Sequence, residues 1–203
     1  REITYAEYKG KSITYLESCR KPSIYDNYAA LGKLHNSGKL SDEDWEKACR
    51  HFDEKCEALV AEYNACKGPW PYQWDNADVV VCGILQRCGR TSCDFHDLKY
   101  LYEADSISEI RIKGKGTNEE EQVQSIIDTI RNDYMDLLQS SEKLAVTFID
   151  SNQGAFLNKI ADCLTDMDVI WHEWGATAEE KEISLSIVTA TEINRQYKLR
   201  EWS

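Results

Sequence analysis

The sequence predicts an α+β fold: an N-terminal β-hairpin and a helical (αα) hairpin, followed by a mixed, largely antiparallel sheet flanked by helices. Three observations predict it. Segments rich in β-branched and aromatic residues occur near both ends of the chain. Apolar residues recur at helical spacing between about residues 24 and 66. Residues 183–187 alternate apolar and serine positions, which is typical of a half-buried antiparallel strand.

The first elements are a hairpin and a short helix. Residues 3–8 and 12–16 read as two strands joined by a Lys-Gly-Lys turn. A helix begins near Ile24, because apolar side chains then recur every three to four positions. We expect it to end at Gly38, since glycine accepts the left-handed conformation that often terminates a helix.

A long helix follows over about residues 41–66. Ser41 is a suitable N-cap, and the next three residues are acidic, which favours the helix start. Steps of four and three place one apolar stripe on this helix: Trp45, Cys49, Phe52, Cys56, Leu59, Tyr63 and Cys66. Two of its cysteines, Cys49 and Cys56, lie about 10 Å apart along the axis, too far for a disulfide. We therefore expect reduced thiols and a cytoplasmic protein.

A local pattern resembles a known family. Leu31-x-x-Leu34 is followed by Gly38-x-Leu40-Ser41-x-Glu43-x-Trp45, and the likeness extends over about residues 27–60. This segment is similar to the helical hairpin of the SHOCT (short C-terminal domain) family. The resemblance implies an interaction or oligomerisation hairpin rather than a catalytic unit. An unrelated αα-hairpin would show the same helix-turn-helix pattern.

The prolines after the long helix suggest a boundary between two domains. Residues 1–68 would hold the β-hairpin and the helical hairpin, residues 67–76 a linker, and residues 77–203 an α+β domain. In the second domain residues 79–85 fit either a strand or a helix. The remaining expected elements are helices at about 95–102, 118–138 and 155–164, and strands at 110–112, 144–149, 169–174, 183–187 and 197–202.

The charge of the chain limits the classes of partner. The net charge of the chain is −12. Residues 1–40 have a net charge of +3, so residues 41–203 have a net charge of −15. This balance disfavours direct nucleic-acid binding, which needs clustered lysine and arginine. No apolar run reaches the roughly 20 residues that span a bilayer, and no signal peptide is visible. A protein partner with a basic surface is the expectation.

The favoured function is non-catalytic binding and occlusion of such a partner, as in an inhibitor, immunity or anti-defence protein, including one that imitates nucleic acid. Residues 41–62 carry eight acidic and three basic side chains. Aromatic residues near the prolines would act as anchors. The expected partner-binding residues are Asp42, Glu43, Asp44, Glu46, Asp53, Glu54, Glu57, Trp70, Tyr72 and Trp74. The apolar stripe of the long helix could also pack against a second copy, giving a homodimer.

Two alternatives remain open. No cofactor is expected under the favoured function, but Cys82, Cys88, Cys93 and His96 offer four zinc-type ligands within fifteen residues, which would suit a zinc-stabilised regulatory module. Their five-residue first gap departs from the usual zinc knuckle. The other alternative is a small hydrolase or transferase that uses Asp150 and His172, because both lie at or near the ends of predicted strands.

A glycine-containing turn at residues 113–117 stands between a strand and a helix, the position of a phosphate-binding loop. It lacks the full phosphate-loop motif. Three glutamates at the start of the following helix would repel a phosphate, so a glycine turn and a capped helix are the simpler interpretation.

Overall fold

The computed structural model describes residues 23–86, 93–150, 156–175 and 183–193. The chain forms two compact units, Arg1–Ala65 and Cys66–Ser203. The segment 67–76, expected as a linker, lies in the second unit and contains a strand of its sheet. The expected N-terminal hairpin and the strand at 197–202 lie outside the described residues.

The first unit contains the expected helical hairpin. Helix α1 spans Ile24–Asn36 and helix α2 spans Asp42–Ala65. Ser23 caps α1 by accepting a hydrogen bond from the Asp26 amide at 3.0 Å. Ser41 caps α2 in the same way through the Asp44 amide at 3.2 Å. Between the helices Gly38 adopts φ +71°, the left-handed conformation that its lack of a side chain permits.

The second unit is a sheet with helices. Its strands are β1 (Tyr72–Trp74), β2 (Ala104–Lys113), β3 (Lys143–Asp150), β4 (Val169–Gly175) and β5 (Ser184–Ile193). Its helices are α3 (Ala77–Leu85), α4 (Phe95–Leu98), α5 (Glu119–Thr129), α6 (Met135–Gln139) and α7 (Leu157–Cys163). A 3₁₀ turn at Lys99–Tyr102 follows α4, and a π-helical turn at Ile130–Tyr134 joins α5 to α6.

The strand order is β1-β2-β5-β3-β4, and the β3–β4 pair is parallel while the other pairs are antiparallel. The predicted α+β fold with a mixed, largely antiparallel sheet is therefore confirmed. The main core forms where the apolar side chains of β2, β3 and β5 pack with those of α5 and α7. Phe148 and Ile187 on the strands, and Ile126 and Ile160 on the helices, are fully buried there.

The structure resolves the ambiguous run 79–85 as a helix. Asn76 caps it by accepting a hydrogen bond from the Asp78 amide at 3.0 Å. The residues from Val79 to Ile84 are buried on all sides of the helix. The segment therefore has no polar face and shows no amphipathic period. Among the described helices, none is both long and apolar enough to cross a membrane.

Two other elements differ in extent from expectation. Strand β2 begins at Ala104 rather than at residue 110, because its first half also pairs with β5 although aspartate, serine and glutamate interrupt its apolar pattern. The helix expected over 118–138 is interrupted by the π-helical turn. Asn118 is its N-cap, accepting a hydrogen bond from the Glu121 amide at 2.9 Å.

Candidate functional site

Aromatic stacking holds the apolar stripe of α2 against α1. The Tyr28 ring stacks on Trp45, with centroids 5.1 Å apart, and on Phe52, with centroids 4.2 Å apart. The Tyr28 hydroxyl lies 3.6 Å from the Cys49 thiol, and this hydrogen bond, followed by burial, raises the pKa of Tyr28. The first half of the stripe is therefore packing surface within the hairpin.

The turn of the hairpin is fixed by a second set of contacts. The His35 ring stacks on Trp45 at 5.2 Å, and its Nε2 lies 2.9 Å from the Asp42 carboxylate. On the adjacent turn of α1, a Cβ added at Gly32 would lie 3.4 Å from the Trp45 ring, so the ring packs against this turn and leaves room for a methyl group but not for a larger side chain. Trp45 thus contacts α1 over two of its turns.

The acidic side chains expected to meet a partner are all exposed on α2: Asp42, Glu43, Asp44, Glu46, Asp53, Glu54 and Glu57. At 3.6 residues per turn, four of them fall within an arc of about 60° next to the apolar stripe. We call this set the acidic flank: Asp42, Glu46, Asp53 and Glu57. Away from it, Lys47 forms ion pairs with Glu43 at 2.8 Å and with Asp44 at 3.7 Å.

The three stripe cysteines, Cys49, Cys56 and Cys66, are partly buried and form no disulfide within the described residues. The same holds for the disulfide state of the other described cysteines, Cys82, Cys93 and Cys163. The geometric argument against a Cys49–Cys56 disulfide therefore agrees with the structure.

The aromatic anchors expected near the prolines differ in their exposure. Trp74 is 7% exposed, and its Nε1 donates a hydrogen bond to Glu109 Oε2 at 2.8 Å. The expectation that Trp74 meets a partner is therefore wrong, because its ring and its only polar atom are used inside the second unit. Trp70 and Tyr72 are partly exposed, with ring centroids 6.3 Å apart.

Sequence reasoning missed a buried charge beneath these rings. Glu109 on β2 is 0% exposed and accepts hydrogen bonds from Arg111 Nε at 2.7 Å, Arg111 Nη2 at 3.1 Å and Ser186 Oγ at 2.7 Å. The Arg111 guanidinium lies 4.8 Å from the centre of the Trp70 ring. The available signal was an alternation of charge and isoleucine over residues 109–112, which usually marks a strand with a solvent face.

The four zinc-type residues do not share one kind of environment. Cys82 is buried within α3 and His96 is exposed on α4, whereas Cys88 lies outside the described residues. Cys93 is buried, and burial followed by the nearby Asp97 carboxylate raises its pKa to about 11, which favours the thiol over the metal-binding thiolate. The described ranges contain no group of three or more His, Cys, Asp or Glu positioned for a metal. Zinc binding stays a prediction.

The glycine turn before α5 uses its donors internally. The Thr117 amide and hydroxyl donate to Glu121 Oε2 at 2.7 and 2.8 Å, and the Lys115 amide donates to Ser125 Oγ at 2.6 Å. The bond from the Thr117 amide is the main cause that lowers the pKa of Glu121. A carboxylate of the chain therefore occupies donors that a phosphate would need.

The two residues of the enzymatic alternative lie on neighbouring parallel strands. His172 on β4 is in register with Thr147, whereas Asp150 on β3 is in register with Gly175. The two residues are therefore three positions apart in the ladder rather than side by side.

A cavity of about 500 Å³ lies beside α6 and the end of α7. Apolar atoms come from Met135, Cys163 and Met167, and carboxylates come from Asp162, Asp166 and Asp168 among others. Among the described residues that line it, none is lysine, arginine or histidine, so the charge of this lining disfavours anionic ligands.

Comparisons with known proteins provide no family for this chain. No protein-family model matches it, and no curated protein matches it. Among solved structures it is similar to an empty FtsZ dimer from M. jannaschii, at 11% sequence identity and a TM-score of 0.43, over 82% of this chain. The chain spans about half (49%) of the length of that FtsZ chain. A likeness at this level supports no conclusion about function.

Proposed function

We propose that the protein binds and occludes a partner protein through the acidic flank of α2, and that the partner presents a basic surface. The observation that carries the proposal is the placement of four exposed carboxylates along one side of a helix whose apolar stripe is packed against α1. The hairpin holds these charges in a fixed row. A fixed row of like charges attracts an oppositely charged surface and sets its orientation.

The spacing of the flank indicates what kind of surface it fits. Its members recur at steps of four, seven and four residues, so they extend about 22 Å along the helix axis. That length suits a row of lysine or arginine side chains on a partner. A nucleic-acid-binding protein offers such a row, which is why imitation of nucleic acid is the special case of this proposal.

The second unit contributes anchors of another kind. Trp70 and Tyr72 are the two aromatic rings near the prolines that stay partly exposed, and tryptophan and tyrosine are enriched among residues that dominate binding energy. The described cysteines form no disulfide, which is typical of a reducing compartment, and we propose a cytoplasmic location. Homodimerisation through the apolar stripe is part of the proposal only as a competing use of α2.

The test compares two variants of the full chain with equal charge change. In the first, Glu46→Gln, Asp53→Asn and Glu57→Gln neutralise three of the four flank carboxylates. In the matched control, Glu43→Gln, Glu54→Gln and Glu62→Gln neutralise acidic residues of α2 outside it. Each protein is immobilised and used to capture partners from the host lysate at about 0.1 and 1 M salt, where the Debye length falls from about 10 to about 3 Å.

We expect a basic protein that binds the natural chain and the control at low salt, but not the flank variant, and that dissociates at high salt. Binding that survives both flank neutralisation and high salt would refute docking by the acidic flank. Sedimentation of the purified complex then distinguishes a one-to-one complex with the partner from a dimer of this chain.

A further inference from the structure

Strand β1 is too short to be held by its backbone alone. It has three residues and lies at one end of the strand order, paired with β2. Side chains add to this pairing: Gln73 Nε2 donates to Ser106 Oγ at 2.5 Å, and its Oε1 accepts from Ser108 Oγ at 2.8 Å. Such a short strand needs further contacts, because each backbone hydrogen bond contributes only about 1 kcal/mol net.

The buried Glu109 carboxylate is linked to both ends of the segment 66–74, which contains β1. It accepts directly from the Trp74 indole at 2.8 Å. Through Arg111 it also reaches the beginning of the segment, because the guanidinium that it binds donates to the Cys66 carbonyl at 3.3 Å and lies 4.8 Å from the Trp70 ring centre. One carboxylate is therefore linked to residues 66, 70 and 74.

Burying an ion pair costs desolvation free energy, which burying apolar side chains does not. Replacing such a pair with apolar side chains of similar volume is often neutral or stabilising, so filling alone does not require a charge at position 109. A charged network differs in geometry: a planar guanidinium held by two hydrogen bonds has a fixed orientation, and a ring stacked on it is oriented too.

We infer that Glu109 is a positioning residue: through Arg111 and Trp74, it fixes the backbone of residues 66–74 and so presents Trp70 and Tyr72 in one arrangement to a partner. The part of this inference that concerns a partner rests on the proposed function. A pre-organised aromatic pair loses less conformational entropy when it binds than a mobile one does.

Hydrogen exchange of the full chain, read by mass spectrometry, tests the inference without any partner. Three variants are compared with the natural chain: Glu109→Gln, which removes the charge; the apolar pair Glu109→Met with Arg111→Met; and Asp105→Asn, a control that neutralises an exposed carboxylate on the same strand. Amides of 66–74 are followed, with those of α5 as the internal reference.

We expect Glu109→Gln to accelerate exchange in 66–74 at least about tenfold relative to α5, since hydrogen bonds to charged groups contribute more than neutral ones. The apolar pair removes the acceptor that Trp74 Nε1 and Ser186 Oγ use, so its thermal stability should stay below that of the natural chain, and exchange in 66–74 should stay fast relative to α5. Asp105→Asn should change neither region.

Two results would overturn the inference: unchanged exchange of 66–74 in Glu109→Gln, or a return to natural rates in the apolar pair, which would mean that Glu109 only fills space. If Glu109→Gln accelerates exchange throughout the chain, the exchange of 66–74 in the apolar pair shows whether Glu109 positions this segment or only fills space. Salt-sensitive capture by α2 is measured separately, so a failure of either proposal leaves the other result interpretable.

Discussion

The packing of Trp45 against Gly32 makes a quantitative prediction about the helical hairpin. Gly32 lies inside α1, where glycine costs about 0.5–1 kcal/mol relative to alanine. An added Cβ would lie 3.4 Å from Trp45 Cη2 and 3.8 Å from Cζ3, which are ordinary van der Waals distances. Gly32→Ala should therefore stabilise the hairpin by about 0.5–1 kcal/mol. Gly32→Leu should destabilise it by about 1–3 kcal/mol, because the additional carbons must displace the ring.

The assay is hydrogen exchange of the α1 and α2 amides in the full chain, with β3 as the internal reference, since a protein of two units need not unfold in one step. Ala29→Gly, at an exposed position of α1, is the matched control and should cost about the same amount that Gly32→Ala gains. Faster exchange of the hairpin in Gly32→Ala would refute the described approach of Trp45 to α1.

Three further predictions concern other parts of the chain. Gly38→Ala should destabilise the first unit by about 1–2 kcal/mol through backbone strain at φ +71°, and Gly114→Ala should destabilise the second unit more, because its Cβ would lie 2.6 Å from Gln122 Cβ and 3.0 Å from the Gln122 carbonyl; hydrogen exchange of each unit, read by mass spectrometry, measures both effects, and a smaller effect at Gly114 would contradict its close approach to Gln122. The part of the stability that depends on Cys93 should be constant below the ordinary thiol pKa and fall as pH rises towards about 11, because burial raises the pKa of Cys93 in the folded state and the unfolded state loses its proton first; burial also raises the pKa of Tyr100, so Cys93→Ala should make that part of the pH profile shallower without flattening it, and an unchanged profile would contradict the assignment. Phe148→Ala, at a fully buried position, should cost about 3–5 kcal/mol in urea titrations, and a loss below about 1 kcal/mol would contradict the described core.

Local signals in the sequence determined the parts of the fold that rest on periodicity and capping. The apolar spacing of residues 24–66, Gly38 and the cap at Ser41 predicted helices that the structure contains. These signals are local because a helix satisfies its backbone hydrogen bonds within one segment. The exposure of the acidic side chains on α2 followed from the same periodicity.

Tertiary structure decided the features in which one segment depends on another. Residues 79–84 of this helix are buried on every side, so no amphipathic period could identify the segment as helical. Residues 72–74 are a strand only because β2 lies beside them, and Trp74 is buried in the same unit, where the distant Glu109 accepts a hydrogen bond from its indole. Whether a charged residue of a sheet is buried depends on which strands pair and on their register. The spacing of residues within one segment does not encode this long-range pairing.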